Sequence, residues 1–482
     1  MKKNFINYTL YQLITFALPI ILNAYVSRTL GVENIGMYNL SLSVITYFSI
    51  LLKLGIDLYG SREVAYARNN KNTSVNKVFS GVFQIQLTMG IIVLLIFLLI
   101  SHTLSDAMQI PYNLLIIQGI GIFAALLDIS WLVIGLEKFN VIIVRNTLVK
   151  LISIVLVMTV IKSDSQINLY ATIVVLTNVF AAVSIWIMMK KYIKIKFNIL
   201  NYKYTKPIFI LFLPIIATSL FTQLDTILVA HYSNFREVGL YASALSIIAI
   251  PKIVVSSFGS VVMPHMSKQA GSITKEKETN IVVESITYWF IFGAFIVTFT
   301  LFNATYIVNF MYGKEFGKTT NLLMILVLMI PFYILGNILR TQVLIPKKND
   351  KPYVVSILIA AIVNISGNVM LVPWLGATGG IIAVFLTETV ICVVECIYTR
   401  KMTFWFELKK FFIKWLAVVL ITILVLFLIN IIEQKINVSF YIRFVLNNVA
   451  IIAILFVSFK KQINDFFDKV LKVNHRKVRN ID

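Results

Sequence analysis

The sequence predicts an all-α polytopic membrane protein of about fourteen transmembrane helices, as two six-helix bundles followed by two extra C-terminal helices. Three observations carry that prediction: an apolar composition, an alternation of basic and charge-poor loops, and an internal repeat. Of the 482 residues, 59% are apolar and 13% are charged, with a mean hydropathy of +0.87. A soluble chain of this length would form about two to four domains, but this composition leaves too few polar residues to cover them. Fourteen spans of about 20 residues use about 280 apolar-rich positions, close to what 59% of 482 supplies.

The predicted spans follow one another with short connections. Span 1 covers about 8–30, span 2 about 36–58, span 3 about 78–101 and span 4 about 112–136. Span 5 covers about 141–161, span 6 about 168–189, span 7 about 208–231 and span 8 about 239–264. Span 9 covers about 281–303, span 10 about 320–345, span 11 about 352–373 and span 12 about 377–398. Spans 13 and 14 fall near 411–432 and 440–459. The apolar run after Lys2-Lys3 is too long for a signal-peptide core and another span follows at once, so it reads as a retained first helix.

The charge checks the count. Lys and Arg total 43 against 21 Asp and Glu, a formal charge of +22. Placement argues against nucleic acid, because the loops alternate. Stretches 59–77, 137–145, 190–207, 267–280, 346–352 and 399–410 each carry Lys or Arg, whereas 31–35 and 101–112 carry none. The tail after Phe459 holds seven basic residues. By the positive-inside rule the basic side is cytoplasmic, both termini lie there, and the span number is even. The same charges suit contact with anionic membrane lipids.

The repeat defines the halves. Leu18-Pro19-Ile20-Ile21 in span 1 returns as Leu213-Pro214-Ile215-Ile216 in span 7. Ile35-Gly36-Met37-Tyr38 opens span 2, and Val238-Gly239-Leu240-Tyr241 opens span 8. Leu176-Thr177-Asn178 in span 6 matches Leu386-Thr387-Glu388 in span 12. The three matches occur in the same order, and an even number of spans per half makes the halves parallel. The chain thus divides into 1–200, 201–402 and 403–482. Paired prolines at Pro19 and Pro214 suit bundles that bend or rock.

Ionisable groups at membrane depth are expensive and mark function by default. Arg28 lies in span 1, Lys53 and Asp57 in span 2, Asp128 in span 4, Arg145 and Lys150 in span 5 and Asp225 in span 7. Lys252 lies in span 8, Arg340 in span 10, and Glu388 and Glu395 in span 12. Asp57, Arg145, Lys150, Arg340 and Glu395 are expected near an interface, where a long side chain snorkels to water. Lys53 and Lys252 each occupy the second span of their half and are expected to form an anion site between the halves. Arg28 would extend it with a guanidinium fork suited to phosphate. Pairing with internal carboxylates such as Asp128 or Asp225 is the competing reading of these cations, and the two are compatible. Asp128, Asp225 and Glu388 are candidate H⁺ or Na⁺ coupling groups, with a purely structural ion pair the alternative.

Other chemistry is not legible. Cys392 and Cys396 sit one helical turn apart in an apolar helix with no histidine near, so inert thiols are expected rather than zinc ligands. His102, His231, His265 and His475 are scattered. No phosphate-cradling Gly-rich loop, HExxH or GxSxG is found, so no cofactor, metal or enzymatic role is expected.

The stretch Gly55-Ile56-Asp57-Leu58-Tyr59-Gly60-Ser61-Arg62-Glu63 resembles Wzx-type polysaccharide-unit flippases, as does Asp128-Ile129-Ser130-Trp131-Leu132-Val133-Ile134-Gly135-Leu136-Glu137 followed by Arg145-Asn146 and Lys150. Asp225, Met263-Pro264-His265-Met266-Ser267 and Tyr312-Gly313-Lys314-Glu315-Phe316 continue the resemblance, which spans about 8–400. It implies the multidrug/oligosaccharidyl-lipid/polysaccharide exporter fold, with bundles around a central cavity. It also implies outward translocation of undecaprenyl-diphosphate-linked oligosaccharide for capsule, O-antigen or similar assembly, with polysaccharide polymerase machinery as a partner. Related lipid II flippases resemble the chain in placing basic residues on helices 1, 2 and 8, here Arg28, Lys53 and Lys252. The rivals are a multidrug or organic-cation antiporter, a lipid II flippase, and a membrane polysaccharide polymerase. Three candidate cations favour an anionic load over a cationic drug, and a polymerase would need a larger outer loop.

Overall fold

In lipid a backbone must satisfy its own hydrogen bonds, and the described residues do so by being helical nearly throughout. The computed structural model describes residues 2–69, 74–190, 204–220, 222–269, 274–347, 349, 351–435 and 440–479. Its helices are α1 (Lys2–Lys53), α2 (Ile56–Asn69), α3 (Val75–Met108), α4 (Tyr112–Leu127), α5 (Ser130–Gly135) and α6 (Phe139–Val160). They continue as α7 (Ile167–Met189), α8 (Thr205–Leu220), α9 (Leu224–Tyr232), α10 (Phe235–Gln269), α11 (Lys275–Met311) and α12 (Thr319–Val327). The last are α13 (Ile330–Ile338), α14 (Lys351–Leu375), α15 (Ala377–Thr399), α16 (Phe404–Lys435) and α17 (Phe440–Arg479).

Among the described residues, twelve helical stretches are long and apolar enough to cross a membrane. Large apolar side chains such as Leu99, Phe310 and Trp374 point outward, 81%, 82% and 87% exposed, which only a lipid surround makes favourable. The protein is a multi-pass membrane protein.

The breaks differ from the expected boundaries, and the breaks matter for function. Predicted spans 1 and 2 form one stretch, Leu18–Arg68, of 51 residues. At 1.5 Å per residue that is about 76 Å, more than twice the hydrocarbon thickness. The stretch is interrupted at Gly31, where φ 78 and ψ 169 suit a residue without Cβ. It breaks again at Leu54, which has φ 49. Predicted span 4 is split between α4 and α5 at Asp128, and predicted span 7 between α8 and α9. Predicted span 10 becomes α12, α13 and a π-helical turn at Leu339–Leu344.

Two compact units are present, one of Met1–Ala242 with Phe310–Phe316 and Asn368–Gly380, the other of Ser243–Asn309, Gly317–Gly367 and Ile381–Asp482. In the first, the buried core gathers Leu54, Ile56, Phe79, Phe83, Trp131 and Ile185 beneath the break at residues 53–56. Phe79 stacks on Trp131 at 5.7 Å, and Phe83 meets Trp186 edge-on at 4.9 Å. In the second, α16 and α17 pack on α11 through Ala294, Val418, Leu426, Ile451 and Phe459. The Trp415 indole N–H donates to the Phe290 carbonyl at 2.7 Å, fixing α16 to α11.

Candidate functional site

Lys53 ends α1 and Asp57 lies in the first turn of α2, so each charge complements the helix terminus it occupies. Lys53 Nζ donates to the Asp128 carbonyl at 2.7 Å and to Asp57 Oδ1 at 3.1 Å, and lies 3.5 Å from Asp128 Oδ2. Its side chain is 13% exposed. Asp128 is presented by the α4–α5 break, where its carboxylate accepts from the Ser130 N–H at 3.1 Å and from Ser130 Oγ at 2.5 Å. Arg145 Nη1 stands 3.6 Å from the same oxygen, with Nε and Nη2 donating to Asn146 Oδ1.

Gln86 holds the break open. Its amide donates to the carbonyls of Leu126 at 2.8 Å and Asp128 at 3.0 Å, while its oxygen accepts from the Trp131 indole at 2.9 Å. Beside this network lies a cavity of about 330 Å³ lined by Asp128, Arg145, Asn146, Lys150 and Asn178 over small residues of α4 and α7.

Arg28 lies elsewhere in the same unit. Its guanidinium donates to the carbonyls of Met311 (3.2 Å) and Phe310, at the C-terminus of α11. It lines a cavity of about 530 Å³ with Glu33, Asn34, Asp164 and Glu315. Tyr25, one turn earlier in α1, donates to the Ile161 carbonyl at 2.6 Å, past the end of α6, whereas the Lys53 network engages Arg145 near its start. The helix between Arg145 and Ile161 rises about 24 Å. The structure therefore does not bring Arg28 beside Lys53.

Asp225, in the first turn of α9, is 1% exposed. Its two oxygens accept from Asn368 Nδ2 at 2.9 Å and Tyr241 Oη at 3.0 Å. In the second unit, Lys252 Nζ pairs with Glu388 Oε1 at 2.6 Å and sits 4.6 Å from the Tyr333 ring centroid. Lys252 and Glu388 are thus brought together, as are Lys53 and Asp128. Cys392 and Cys396 are free thiols, and no group of acidic, His or Cys residues among the described ones could hold a metal. The side chains of His265 and His475 lie outside the described residues.

The sequence did not single out Gln86, Ser130, Tyr333 or Asn368. Arg145 and Glu395, expected to reach an interface, are instead packed inside, Arg145 with a side chain 10% exposed and Glu395 fully buried. A polar residue on an otherwise apolar face, as with Gln86 within α3, was the available signal.

Comparison with known proteins places this geometry in context. The profile described as "Polysaccharide biosynthesis protein" matches residues 1–270, and the one described as MatE matches 211–370. A protein named as a candidate O-antigen transporter from Shigella dysenteriae is 25% identical over 400 residues, covering 81% of this chain and 98% of that protein. The capsular polysaccharide biosynthesis protein CapF of Staphylococcus aureus is 23% identical over 410 residues, covering 81% and 97%. Among solved structures, the inward closed lipid II flippase MurJ superposes with a TM-score of 0.79 at 14% identity, over 96% of this chain and all (100%) of that one. An inward-facing MATE-family multidrug transporter gives 0.66 at 15% identity, over 80% and 94%.

Proposed function

The chain belongs to the polysaccharide biosynthesis protein family, and from that premise we propose that it is a flippase for lipid-linked oligosaccharide. The load is an undecaprenyl-diphosphate-linked repeat unit, moved from the cytoplasmic to the outer leaflet of the cell membrane for capsule or O-antigen assembly. The observation that carries the reading is the Lys53 network, a half-buried cation held by the exposed Asp57 carboxylate, the Asp128 carboxylate and the Asp128 carbonyl at a helix break. A cation so paired is soluble in the membrane when empty and exchanges a carboxylate for a phosphate oxygen when the headgroup arrives.

Lys252 on Glu388 repeats that arrangement. Arg28, about 24 Å of helix from the Lys53 network, then serves a different stage of passage rather than the same grip. Counting Leu18–Arg68 as two spans and α8 with α9 as one broken span brings the twelve to about fourteen. Both termini lie on the cytoplasmic side, and the repeat halves 1–200 and 201–402 alternate access, with helices near 411–432 and 440–459 outside the repeat. Asp128, Asp225 and Glu388 are the candidate H⁺ or Na⁺ coupling groups. No step of bond chemistry is assigned to the chain, and polymerase machinery would receive its product.

The test is the leaflet location of undecaprenyl-linked oligosaccharide in cells depleted of the protein. Accumulation on the cytoplasmic leaflet, reversed by the intact gene and not by a Lys53→Ala/Lys252→Ala double variant, is expected. The MatE match over 211–370 supports drug-cation antiport as the second reading. Normal outward appearance of the oligosaccharide with altered tolerance to cationic drugs would establish that reading instead.

A further inference from the structure

Most carboxylates of the described membrane interior have a visible reason to stay ionised. Asp128 has Lys53, Arg145 and Ser130, Asp225 has Tyr241 and Asn368, and Glu388 has Lys252. Glu395 does not. Its residue is 0% exposed, and neither carboxylate oxygen has a hydrogen-bond partner. Isolating an ionised carboxylate in this way is prohibitive, whereas a neutral carboxyl costs far less.

The surroundings are built around that carboxyl. Seven residues, two helical turns, separate Glu388 from Glu395 on α15, so both lie on one face. Tyr333 on α13 and Arg340 in the π-helical turn are spaced identically and meet the same face: Tyr333 stands under Lys252 in the Lys252–Glu388 layer, and Arg340 supplies the opposing charge at Glu395. Arg340 is also held 5.2 Å from the Tyr353 ring centroid of α14. Ser356, on the same helix, donates to the Tyr353 carbonyl at 2.8 Å, and its hydroxyl lies beside the Glu395 carboxyl. Cys392 and Cys396 on α15 are the remaining titratable neighbours. A Cβ on Gly336 would come 3.3 Å from Glu395 Oε2, so a side chain there would crowd the carboxyl.

The π-helical turn adds an independent observation. Gln342, 0% exposed within Leu339–Leu344, has both amide atoms unpartnered. Single π turns are marginal structures that recur at functional sites, and one carrying orphaned polar groups beside an orphaned carboxyl is poised to rearrange.

We propose that Glu395 is a proton-binding site, the carboxyl whose protonation and deprotonation drive the conformational cycle of the second unit. Ionised, it attracts Arg340 and draws the π-helical turn toward α15. Neutral, it releases that attraction. The only bond formed or broken is O–H: the carboxylate takes H⁺ from water reaching one side of the membrane and returns it to water on the other. The coupling ion of the proposed flippase is then H⁺, a conclusion that rests on the flippase reading, whereas the proton site itself does not.

The experiment uses the purified full chain in lipid vesicles without substrate. Infrared difference spectra are recorded across a pH titration, comparing wild type with Glu395→Gln, Glu395→Asp and Glu388→Gln. Loss of one protonated-carboxyl band in Glu395→Gln, its shifted retention in Glu395→Asp and its persistence in Glu388→Gln are expected. An unchanged band in Glu395→Gln overturns the proposal whatever the protein transports. The second arm imposes a pH gradient during translocation of undecaprenyl-diphosphate-linked oligosaccharide, where Glu395→Gln is expected to lose the stimulation by the gradient that wild type shows. A stimulation equal to wild type overturns the coupling role. Loss of the band with no translocation by wild type supports the proton site and sinks the flippase reading.

Discussion

Gly36 and Gly239, which align when Ile35-Gly36-Met37-Tyr38 is matched to Val238-Gly239-Leu240-Tyr241, pack against each other's helices within one compact unit. A Cβ on Gly36 would strike the Phe235 carbonyl, and one on Gly239 would strike the Val32 carbonyl. Val32 and Phe235 each lie four residues before a repeat glycine, so the contact is two-fold in form as well as in sequence. Each backbone approaches the other where a side chain would stand, the close approach that small residues permit between membrane helices.

A methyl group at either position therefore collides with backbone, which cannot swing aside as a side chain can. Gly36→Ala or Gly239→Ala is expected to lower thermal stability by about 1–3 kcal/mol, in the range for overpacking. Leucine at either position is expected to abolish surface polysaccharide at near-normal membrane abundance. Melting of the purified variants and immunoblotting of membranes check this. Tolerance of leucine with normal output would show that the helices part freely.

The Lys53–Asp128 pair separates a structural role from a substrate role. Removing Lys53 alone leaves Asp128 with Arg145 and Ser130 as partners, so the stability loss should be about 1–3 kcal/mol rather than the full value for an orphaned buried charge. In a double-mutant cycle with Lys53→Ala and Asp128→Ala, stability is expected to be non-additive because the groups touch. Transport is expected to fall as far in the double variant as in Lys53→Ala, since neutralising the partner does not restore a phosphate ligand. Recovery of transport in the double variant would reduce Lys53 to a structural counter-ion.

Gln86 is the residue on which the Asp128 geometry depends. Gln86→Leu removes the donor to two carbonyls and the acceptor for Trp131, each a buried polar group. At about 1–3 kcal/mol per orphaned group, with Lys53 still covering the Asp128 carbonyl, a net loss of about 2–6 kcal/mol from the two remaining groups is expected. Denaturation followed by Trp fluorescence checks it, because Trp131 loses its own partner. Glu in place of Gln keeps the acceptor for Trp131 but sets an oxygen against the Leu126 and Asp128 carbonyls, and is expected to cost at least as much as Leu.

Much of this protein was readable from sequence because lipid imposes coarse rules. Apolar stretches, basic loops and three ordered repeat matches are all features of composition or position, and they led to the helical membrane fold. Lys53, Asp128, Lys252 and Glu388 were found because charge at membrane depth needs a reason. Their pairing was only one of two readings, because sequence separation says nothing about which carboxylate a folded helix presents. Arg145 and Glu395 were misplaced for a related reason. Both sit within reach of a predicted span end, and only packing decides whether a long side chain turns outward or inward. The Asp128 break and the π-helical turn had no sequence signature, since neither contains proline or positive-φ glycine.

Tyr333 offers the sharpest test of how Lys252 is held. The ammonium has two partners of different kind, a carboxylate at 2.6 Å and an aromatic face at 4.6 Å. Lys252 is 28% exposed at its side chain, so the ring should contribute about 1 kcal/mol, between the exposed and desolvated values for a cation over a π face. Tyr333→Phe keeps the face and should leave transport within about twofold of wild type, a difference below about 0.5 kcal/mol. Tyr333→Leu keeps the volume and removes the quadrupole, and should reduce transport by about fivefold, the equivalent of about 1 kcal/mol. The reverse order, with Phe damaging and Leu neutral, would mean that the hydroxyl matters and the cation is held by Glu388 alone. Because Glu395 lies two helical turns along α15 from Glu388, and Tyr333 sits in the Lys252–Glu388 layer, Tyr333→Leu should leave the pH-gradient response intact even as the rate falls. That combination distinguishes the proposed gripping of an anionic headgroup by Lys252 from carriage of the proton by Glu395.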